Sequence, residues 1–167
     1  MSTELDVAML VLRVALGGML MAHGVNKIAG SGGLDGTAGW FEALGLRPAR
    51  LHARIAAFTE IGAGALLLLG LATPLASAAF IGLMLVATFT DHRGKGYFVF
   101  KGGWEYTALV AMVAVVPALT GPGRWSLDHV LGADAFGLIW AVAAVVVGVL
   151  ATAGLMVTCY RPRSTIS

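Results

Sequence analysis

The sequence contains few charged residues and a single cysteine. Only 12 % of its 167 residues are Asp, Glu, Lys or Arg, whereas 58 % are hydrophobic. A soluble domain of this length needs more charge to cover its surface, so the composition argues against a soluble enzyme and against a disordered chain. The net charge of +2 provides no basic patch for nucleic acid. Cys159 has no partner for a disulfide, and the sequence has no CxxC pair for thiol exchange or zinc.

Five apolar stretches approach the length that crosses a bilayer, at residues 5–28, 55–72, 74–90, 104–120 and 135–159. The last is the clearest, because no charged residue lies between Asp134 and Arg161. Thr73 and Pro74 suit the cap and the first turn of a helix, which predicts a helical hairpin from the second and third stretches. The N-terminus lacks the basic region of a cleavable signal peptide. We therefore predict one all-α domain over residues 1–167, a polytopic transmembrane helix bundle.

The positions of Lys and Arg orient this predicted bundle. One side carries the 29–54 loop, the 91–103 loop and the C-terminus, whereas the other side carries Arg124 alone. We predict that the first side is cytoplasmic and that the N-terminus is outside the plasma membrane. The nine basic residues on the cytoplasmic side are Lys27, Arg47, Arg50, Arg54, Arg93, Lys95, Lys101, Arg161 and Arg163.

The 29–54 loop contains a short amphipathic segment at residues 37–46. Trp40, Phe41 and Leu44 fall on one of its faces, which is typical of a helix that lies in the headgroup plane. Docking of a partner protein is the alternative interpretation of this face.

Ionisable side chains occur within or at the edge of the predicted spans, at Arg13, His23, Glu60 and Glu105, with Lys27 one turn after His23. Each of these groups is costly when it faces lipid, so we expect each to point inward and to find a partner. Helix rise places Arg13 and Glu60 at similar depths, which predicts an ion pair. Glu105 lies at the depth of His23 and Lys27 and is expected to reach one of them.

Two interpretations of this polar seam between the first, second and fourth spans remain open. It is either a structural network that fixes the register of the helices, or a ligand or proton site. Arg13 with Glu60 favours the first interpretation, whereas His23 favours the second because imidazole titrates near neutral pH. A haem between His23 and His92 is a further alternative. Small residues beside the seam permit close helix contact, namely Gly17, Gly18, Gly24, Ala56, Ala57, Gly62 and Gly64.

Other features are interpreted as structural. His52 and His129 are expected to be ordinary surface residues in loops, and Cys159 a free thiol without a resolving partner. A stripe of small residues on the last span is predicted to pack against the other helices, with homo-oligomer formation as the alternative: Ala144, Gly148 and Thr152.

Five short motifs occur in order along the chain. They are Leu12-Arg13 with Leu16-Gly17, Ala22-His23-Gly24 followed by Lys27, Leu44-Gly45-Leu46, Glu60-Ile61-Gly62-Ala63-Gly64 leading to Leu69-Gly70, and the run from Gly121 to Asp128. Together they resemble the DoxX family of small bacterial membrane proteins over roughly residues 7–130, a four-helix core that the fifth span extends. The resemblance implies that Arg13, His23, Lys27, Glu60 and Glu105 match positions that are commonly polar in the family. It also implies a membrane component of redox machinery, without a catalytic residue.

Three functions are consistent with these features. The first is an integral membrane subunit of an oxidoreductase complex, which docks partner proteins at its cytoplasmic face and acts near the quinone pool. The second is a quinone- or lipid-binding subunit, in which His23 passes a proton and Arg13 or Lys27 stabilises an anionic oxygen, with electrons supplied by a partner. The third is a small transport or assembly factor. The sequence indicates no metal site, and quinone is the cofactor that the second function would use.

Overall fold

Four helices are long and apolar enough to cross a membrane. The computed structural model describes residues 2–133 and 135–162, and these helices are α1 (Thr3–Ala29), α3 (Ala49–Leu69), α4 (Thr73–Thr90) and α8 (Leu138–Cys159). A shorter apolar segment, Glu105–Thr120, contains α5 (Glu105–Val113) and α6 (Val115–Thr120). The predicted all-α bundle with an additional C-terminal apolar helix is therefore confirmed.

Two short helices and a turn connect these elements. Helix α2 (Gly33–Leu44) joins α1 to α3, α7 (Leu127–Val130) precedes α8, and Val99–Lys101 forms a 3-10 turn before α5. We name the end of the bundle that holds α2, residues 91–104 and the end of α8 the basic end. The end that holds the start of α1, the α3–α4 turn and residues 121–133 and 135–136 is the opposite end. The assignment of the basic end to the cytoplasm stays a prediction.

Helices α1 and α3 pack at very short distance through glycine. A Cβ atom added to Gly17 would lie 2.6 Å from the Gly64 carbonyl oxygen, and one added to Gly24 would lie 2.7 Å from that of Ala57. These contacts run in opposite order along the two helices, so the helices are antiparallel. Gly18 and Gly62 have no such neighbour within 4 Å, so they do not belong to this contact.

The small-residue stripe on α8 packs against α4, as predicted. Gly148 approaches the backbone of Ala78 so closely that an added Cβ would lie 2.9 Å from its carbonyl oxygen. The single proton of the Thr152 hydroxyl is directed to the Gly148 carbonyl (2.8 Å), with the Gly82 carbonyl also within reach (3.2 Å), so this buried polar group is satisfied inside the bundle. Helix α4 also contacts α3 and α5, so it lies at the centre of the bundle.

Helix α3 begins earlier than the sequence predicts. It starts at Ala49 and not at residue 55, so the 29–54 segment is largely helical and not a loop. His52 is consequently a buried residue of α3, 8 % exposed, and its assignment to a surface loop is wrong. The basic residues Arg50 and Arg54 lower the local hydropathy although they continue the helix, with their side chains turned outward. The predicted amphipathic segment is α2, which buries Phe41 against α3.

The fourth predicted span, 104–120, is interrupted at Ala114. Pro117 lacks the N–H that would bond to the carbonyl of Val113, and its ring crowds that carbonyl. The helix is therefore divided into α5 and α6 at this level.

Candidate functional site

The Arg13 guanidinium is buried at the opposite end and bonded entirely to backbone carbonyls. Its Nε donates to Leu67 (3.0 Å) and its Nη2 to Leu68 (2.8 Å), in the last turn of α3. Its Nη1 donates to Pro122 (2.7 Å) and to Trp125 (3.0 Å), in the loop before α7. The last carbonyls of a helix have no intrahelical partner and carry partial negative charge, so they are suitable acceptors for a buried cation.

The predicted Arg13–Glu60 ion pair is therefore wrong. Glu60 lies seven residues before Leu67, about 10 Å along the helix axis. The prediction failed because the second span was placed at residues 55–72, whereas α3 covers Ala49–Leu69. The true bounds put Glu60 at the middle of α3 and bring Arg13 to its C-terminal end.

Two buried aspartates that the sequence analysis did not select form hydrogen bonds at the opposite end. Asp128 accepts hydrogen bonds from the backbone N–H groups of Ala72 (2.8 Å) and Thr73 (3.0 Å) and from the Thr73 hydroxyl (2.7 Å). It therefore caps α4, a role that the sequence analysis gave to Thr73. Asp6 accepts the Arg124 N–H (2.9 Å), and its second oxygen lies 3.2 Å from the Arg124 guanidinium. The motif from Gly121 to Asp128 was the available indication in the sequence, because it contains both Asp128 and Arg124, the partner of Asp6.

Glu60 instead pairs with Lys27. The Lys27 Nζ lies 2.7 Å from Oε1 and 2.6 Å from Oε2, and the side chains are 13 % and 9 % exposed. The pair joins α1 to α3 near the middle of α3. A carboxylate and an ammonium at this depth are costly unless they are paired, and such a pair within a membrane helix bundle is a candidate functional site.

His23 lies one turn before Lys27 on α1 and lines the same cavity. It is exposed, so the expectation that it points inward to a partner is wrong. Its Nδ1 is 2.9 Å from the Met19 carbonyl oxygen. A carbonyl oxygen only accepts, so Nδ1 carries the proton, and in the neutral ring Nε2 is left as an acceptor. Among the described residues, none forms a hydrogen bond with this Nε2.

Glu105 does not join this group. Its Oε2 accepts the N–H of Val99 (3.0 Å) and so holds the turn before α5. The expected contact of Glu105 with His23 or Lys27 is wrong, because the first residue of α5 turns back toward its own loop. The polar seam thus divides into two separate clusters, one at Arg13 and one at the Lys27–Glu60 pair.

The Lys27–Glu60 pair and His23 line a cavity of about 610 Å³. Its other polar lining includes the hydroxyls of Tyr106 and Thr107, which the sequence analysis did not select because single hydroxyls in an apolar stretch give no distinctive pattern. Most of its wall is apolar, including Phe41, Leu44, Leu46, Ile55, Leu75, Ala78, Ala79, Gly82, Leu83, Val86, Ala87, Val147, Ala151 and Leu155. A volume of this size with few polar groups is typical of a small-molecule site.

His92 also lines the cavity, at the basic end of α4. Its Nδ1 lies 2.6 Å from the Gly102 carbonyl oxygen, and its Nε2 lies 3.9 Å from the Asp91 carboxylate. In residues 2–133 and 135–162, no three His, Cys, Asp or Glu side chains are grouped to hold a metal ion. The haem alternative stays a prediction.

The fold and the cavity define a multi-pass α-helical membrane protein with an ion pair at the wall of an open, mainly apolar cavity between its helices. The DoxX family profile matches residues 8–93, so the chain belongs to the DoxX family. The matched region contains Arg13, His23, Lys27 and Glu60, and it ends before Glu105 and α8.

A curated relative extends the match beyond this region. The chain is 28 % identical over 132 residues to the uncharacterized membrane protein Rv3486 of Mycobacterium tuberculosis, which covers 73 % of this chain and 80 % of that protein. No solved structure matches the chain at a significant level.

Proposed function

We propose that this DoxX protein is an integral membrane component of a redox system and that it binds a quinone or quinol headgroup beside the Lys27–Glu60 pair. The observation that supports the proposal most directly is the position of this pair. It lies near the middle of α3 and lines a mainly apolar cavity of about 610 Å³. An amphiphile with a polar ring and an apolar body matches such a lining.

The donors and acceptors of the site suit both redox forms of the ring. The Lys27 ammonium has three N–H donors, and Glu60 engages this nitrogen through both carboxylate oxygens. A remaining N–H is the donor for a quinone carbonyl oxygen. The Glu60 carboxylate and the His23 Nε2 are acceptors for the hydroxyl groups of a quinol. The apolar wall limits water, which strengthens these hydrogen bonds.

The competing interpretation is that the ion pair only fixes α1 against α3. Replacing both members of a buried ion pair with apolar residues is often neutral for stability, so the double change separates the two interpretations. We expect Lys27→Met/Glu60→Leu to keep the fold and to lose the headgroup contacts.

The test is equilibrium binding of a benzoquinone to the purified protein in lipid nanodiscs. We expect the double variant to bind at least tenfold more weakly than the unmodified protein. The control is Asp35→Asn/Arg50→Gln, which removes an ion pair whose side chains are 85 % and 80 % exposed, outside the cavity. Failure of the unmodified protein to bind, or unchanged binding by the Lys27/Glu60 variant, would refute the proposal.

Docking of a partner oxidoreductase at the basic end is the second candidate. Phe100 is 77 % exposed and stacks on Phe98 with ring centroids 5.4 Å apart, beside Lys101. Exposed aromatic and cationic residues in one loop favour a contact with another surface. Such a partner would deliver or accept the electrons. Affinity purification of the tagged protein tests this candidate, and absence of a stoichiometric redox protein would count against it.

A further inference from the structure

We infer that the site selects a headgroup that carries a long hydrocarbon chain, and that this chain lies along α4 with Ala79 as the residue that limits its passage. The inference rests on the proposed function, because it takes the Lys27–Glu60 pair as the place of the headgroup. It adds the class of ligand and the direction in which the ligand lies.

The length of the cavity supports a chain. Its lining includes α4 residues from Leu75 to Thr90, which corresponds to about 22 Å along the helix. A single ring occupies only a fraction of this distance. A hydrocarbon chain parallel to α4 would use the remainder.

The proposed position of the headgroup, beside Glu60, lies partway along the cavity and leaves a stretch of it free on the side of the opposite end. Glu60 precedes the α3–α4 turn by about as many residues as Gly82 follows it, so the two residues lie at the same level of the hairpin. From Gly82, the lining continues through Ala79 and Ala78 to Leu75, about 10 Å toward the opposite end. This part of the lining contains no ionisable side chain.

The surface of α4 along this path is low. Ala78 and Gly82 pack against Gly148 and Thr152 of α8, so the depth above them is already filled. Ala79 lies beside them on the cavity side of α4 and is half-buried, and its small side chain leaves depth that a larger one would fill. At the far end, Leu75 is 61 % exposed and Val147 of α8 is 52 % exposed, so the path opens there onto the outer surface of the bundle. In a membrane this surface faces lipid, which gives a long chain an exit into the bilayer.

Fit, and not hydrophobicity, must produce the selectivity. Lipid tails are as apolar as the wall of the cavity, so a chain gains little by transfer alone. A side chain that blocks the path would therefore weaken binding of a chain-bearing ligand by steric exclusion. It would leave a ligand without a chain unaffected.

The test compares two ligands with the same benzoquinone ring, one without a side chain and one with two isoprene units. Dissociation constants are measured for the unmodified protein and for Ala79→Phe. The control is Ala143→Phe, because Ala143 is also a half-buried alanine but does not line the cavity. We expect Ala79→Phe to weaken binding of the isoprenoid ligand at least tenfold and to change binding of the short ligand less than twofold. The control Ala143→Phe is expected to leave binding of both ligands unchanged.

Equal effects of Ala79→Phe on both ligands, or no effect on either, would overturn the inference and leave the quinone site standing. Absence of binding of both ligands to the unmodified protein would refute the proposed function itself. Should Ala79→Phe fail to fold, a photoreactive group at the end of the isoprenoid chain replaces it. Crosslinks to Leu75 or Val147 are then expected, and crosslinks confined to α1 or α2 would overturn the inference.

Discussion

Replacement of Arg13 by Met is expected to destabilise the bundle strongly, although it removes no ion pair. Met matches the stem of the buried Arg13 side chain but has no counterpart of its guanidinium, so packing is largely kept around the stem only. What is lost is the set of four hydrogen bonds to carbonyls of α3 and of the 121–126 loop. The Leu67 carbonyl still accepts a hydrogen bond from the N–H of Gly70 (3.0 Å). The carbonyls of Leu68, Pro122 and Trp125 lose the donor that Arg13 provides.

The magnitude follows from those three carbonyls. A buried polar group that loses its partner costs about 1–3 kcal/mol, and hydrogen bonds from a charged donor are at the upper end of this range. Removal of the desolvated guanidinium offsets part of the loss. We therefore expect the free energy of unfolding to fall by about 4 kcal/mol, which corresponds to a fall of roughly 10 °C in melting temperature. Arg13→Lys is expected to recover about half, because one ammonium cannot reach all four carbonyls.

Thermal unfolding of the purified protein in one detergent measures this effect. The control is Arg50→Met, since the Arg50 side chain is 80 % exposed and its loss is expected to change stability by less than about 0.5 kcal/mol. A melting temperature for Arg13→Met equal to that of the control would contradict the carbonyl-bound arrangement.

A double-mutant cycle distinguishes this arrangement from a charge pair with Glu60. Because Arg13 and Glu60 share no partner, the effects of Arg13→Met and Glu60→Leu are expected to add to within about 0.5 kcal/mol. Lys27→Met and Glu60→Leu are in contact and are expected to show a coupling of roughly 1–3 kcal/mol. Strong coupling between residues 13 and 60 would refute the reasoning.

Further stability predictions concern glycines and a helix cap, and the same melting experiment checks each of them. Gly70→Ala should cost roughly 1–3 kcal/mol, because Gly70 has a φ of +63° and an added Cβ would lie 2.5 Å from that of Ser126. Gly64→Ala should separate α1 from α3 and lower the melting temperature, because its Cβ would lie 2.7 Å from the Gly17 carbonyl oxygen. Gly62→Ala has open space around the added Cβ, so it should stabilise the protein by about 0.5–1 kcal/mol through the better helix propensity of alanine. Asp128→Ala should cost about 1–2 kcal/mol by uncapping α4, and an unchanged melting temperature would show that water replaces the carboxylate.

The sequence predicts the membrane helices well because their signal is local. An apolar stretch of bilayer length must satisfy its backbone internally, so α1, α4 and α8 follow from composition and length. The start of α3 was missed because Arg50 and Arg54 lower the hydropathy of a turn that is nevertheless helical. The break at Ala114 follows from Pro117, a signal that a count of apolar residues does not register.

The partners of the buried charges were harder to predict, for a different physical reason. Pairing by depth considers side chains only, whereas Arg13 bonds to backbone carbonyls that occur at every residue and leave no trace in composition. Its choice of acceptors depends on where α3 ends, so an error of a few residues in the helix bounds also gave Glu60 the wrong partner. The sequence analysis placed Lys27 in the polar group but assigned Glu60, its partner in the structure, to Arg13.

The two buried cations differ in a way that separates support of the fold from the candidate ligand site. Around Arg13, the described carbonyls occupy the donors Nε, Nη1 and Nη2, and the nearby Asp128 is itself engaged by α4. A ligand there would have to displace hydrogen bonds that hold the α3–α4 turn, so binding would oppose folding. The Lys27 ammonium instead meets one carboxylate at the wall of a cavity that His23 and Tyr106 also line. A headgroup can add to that pair without disrupting a helix terminus, and for this reason we place the candidate site at Lys27 and Glu60 and not at Arg13.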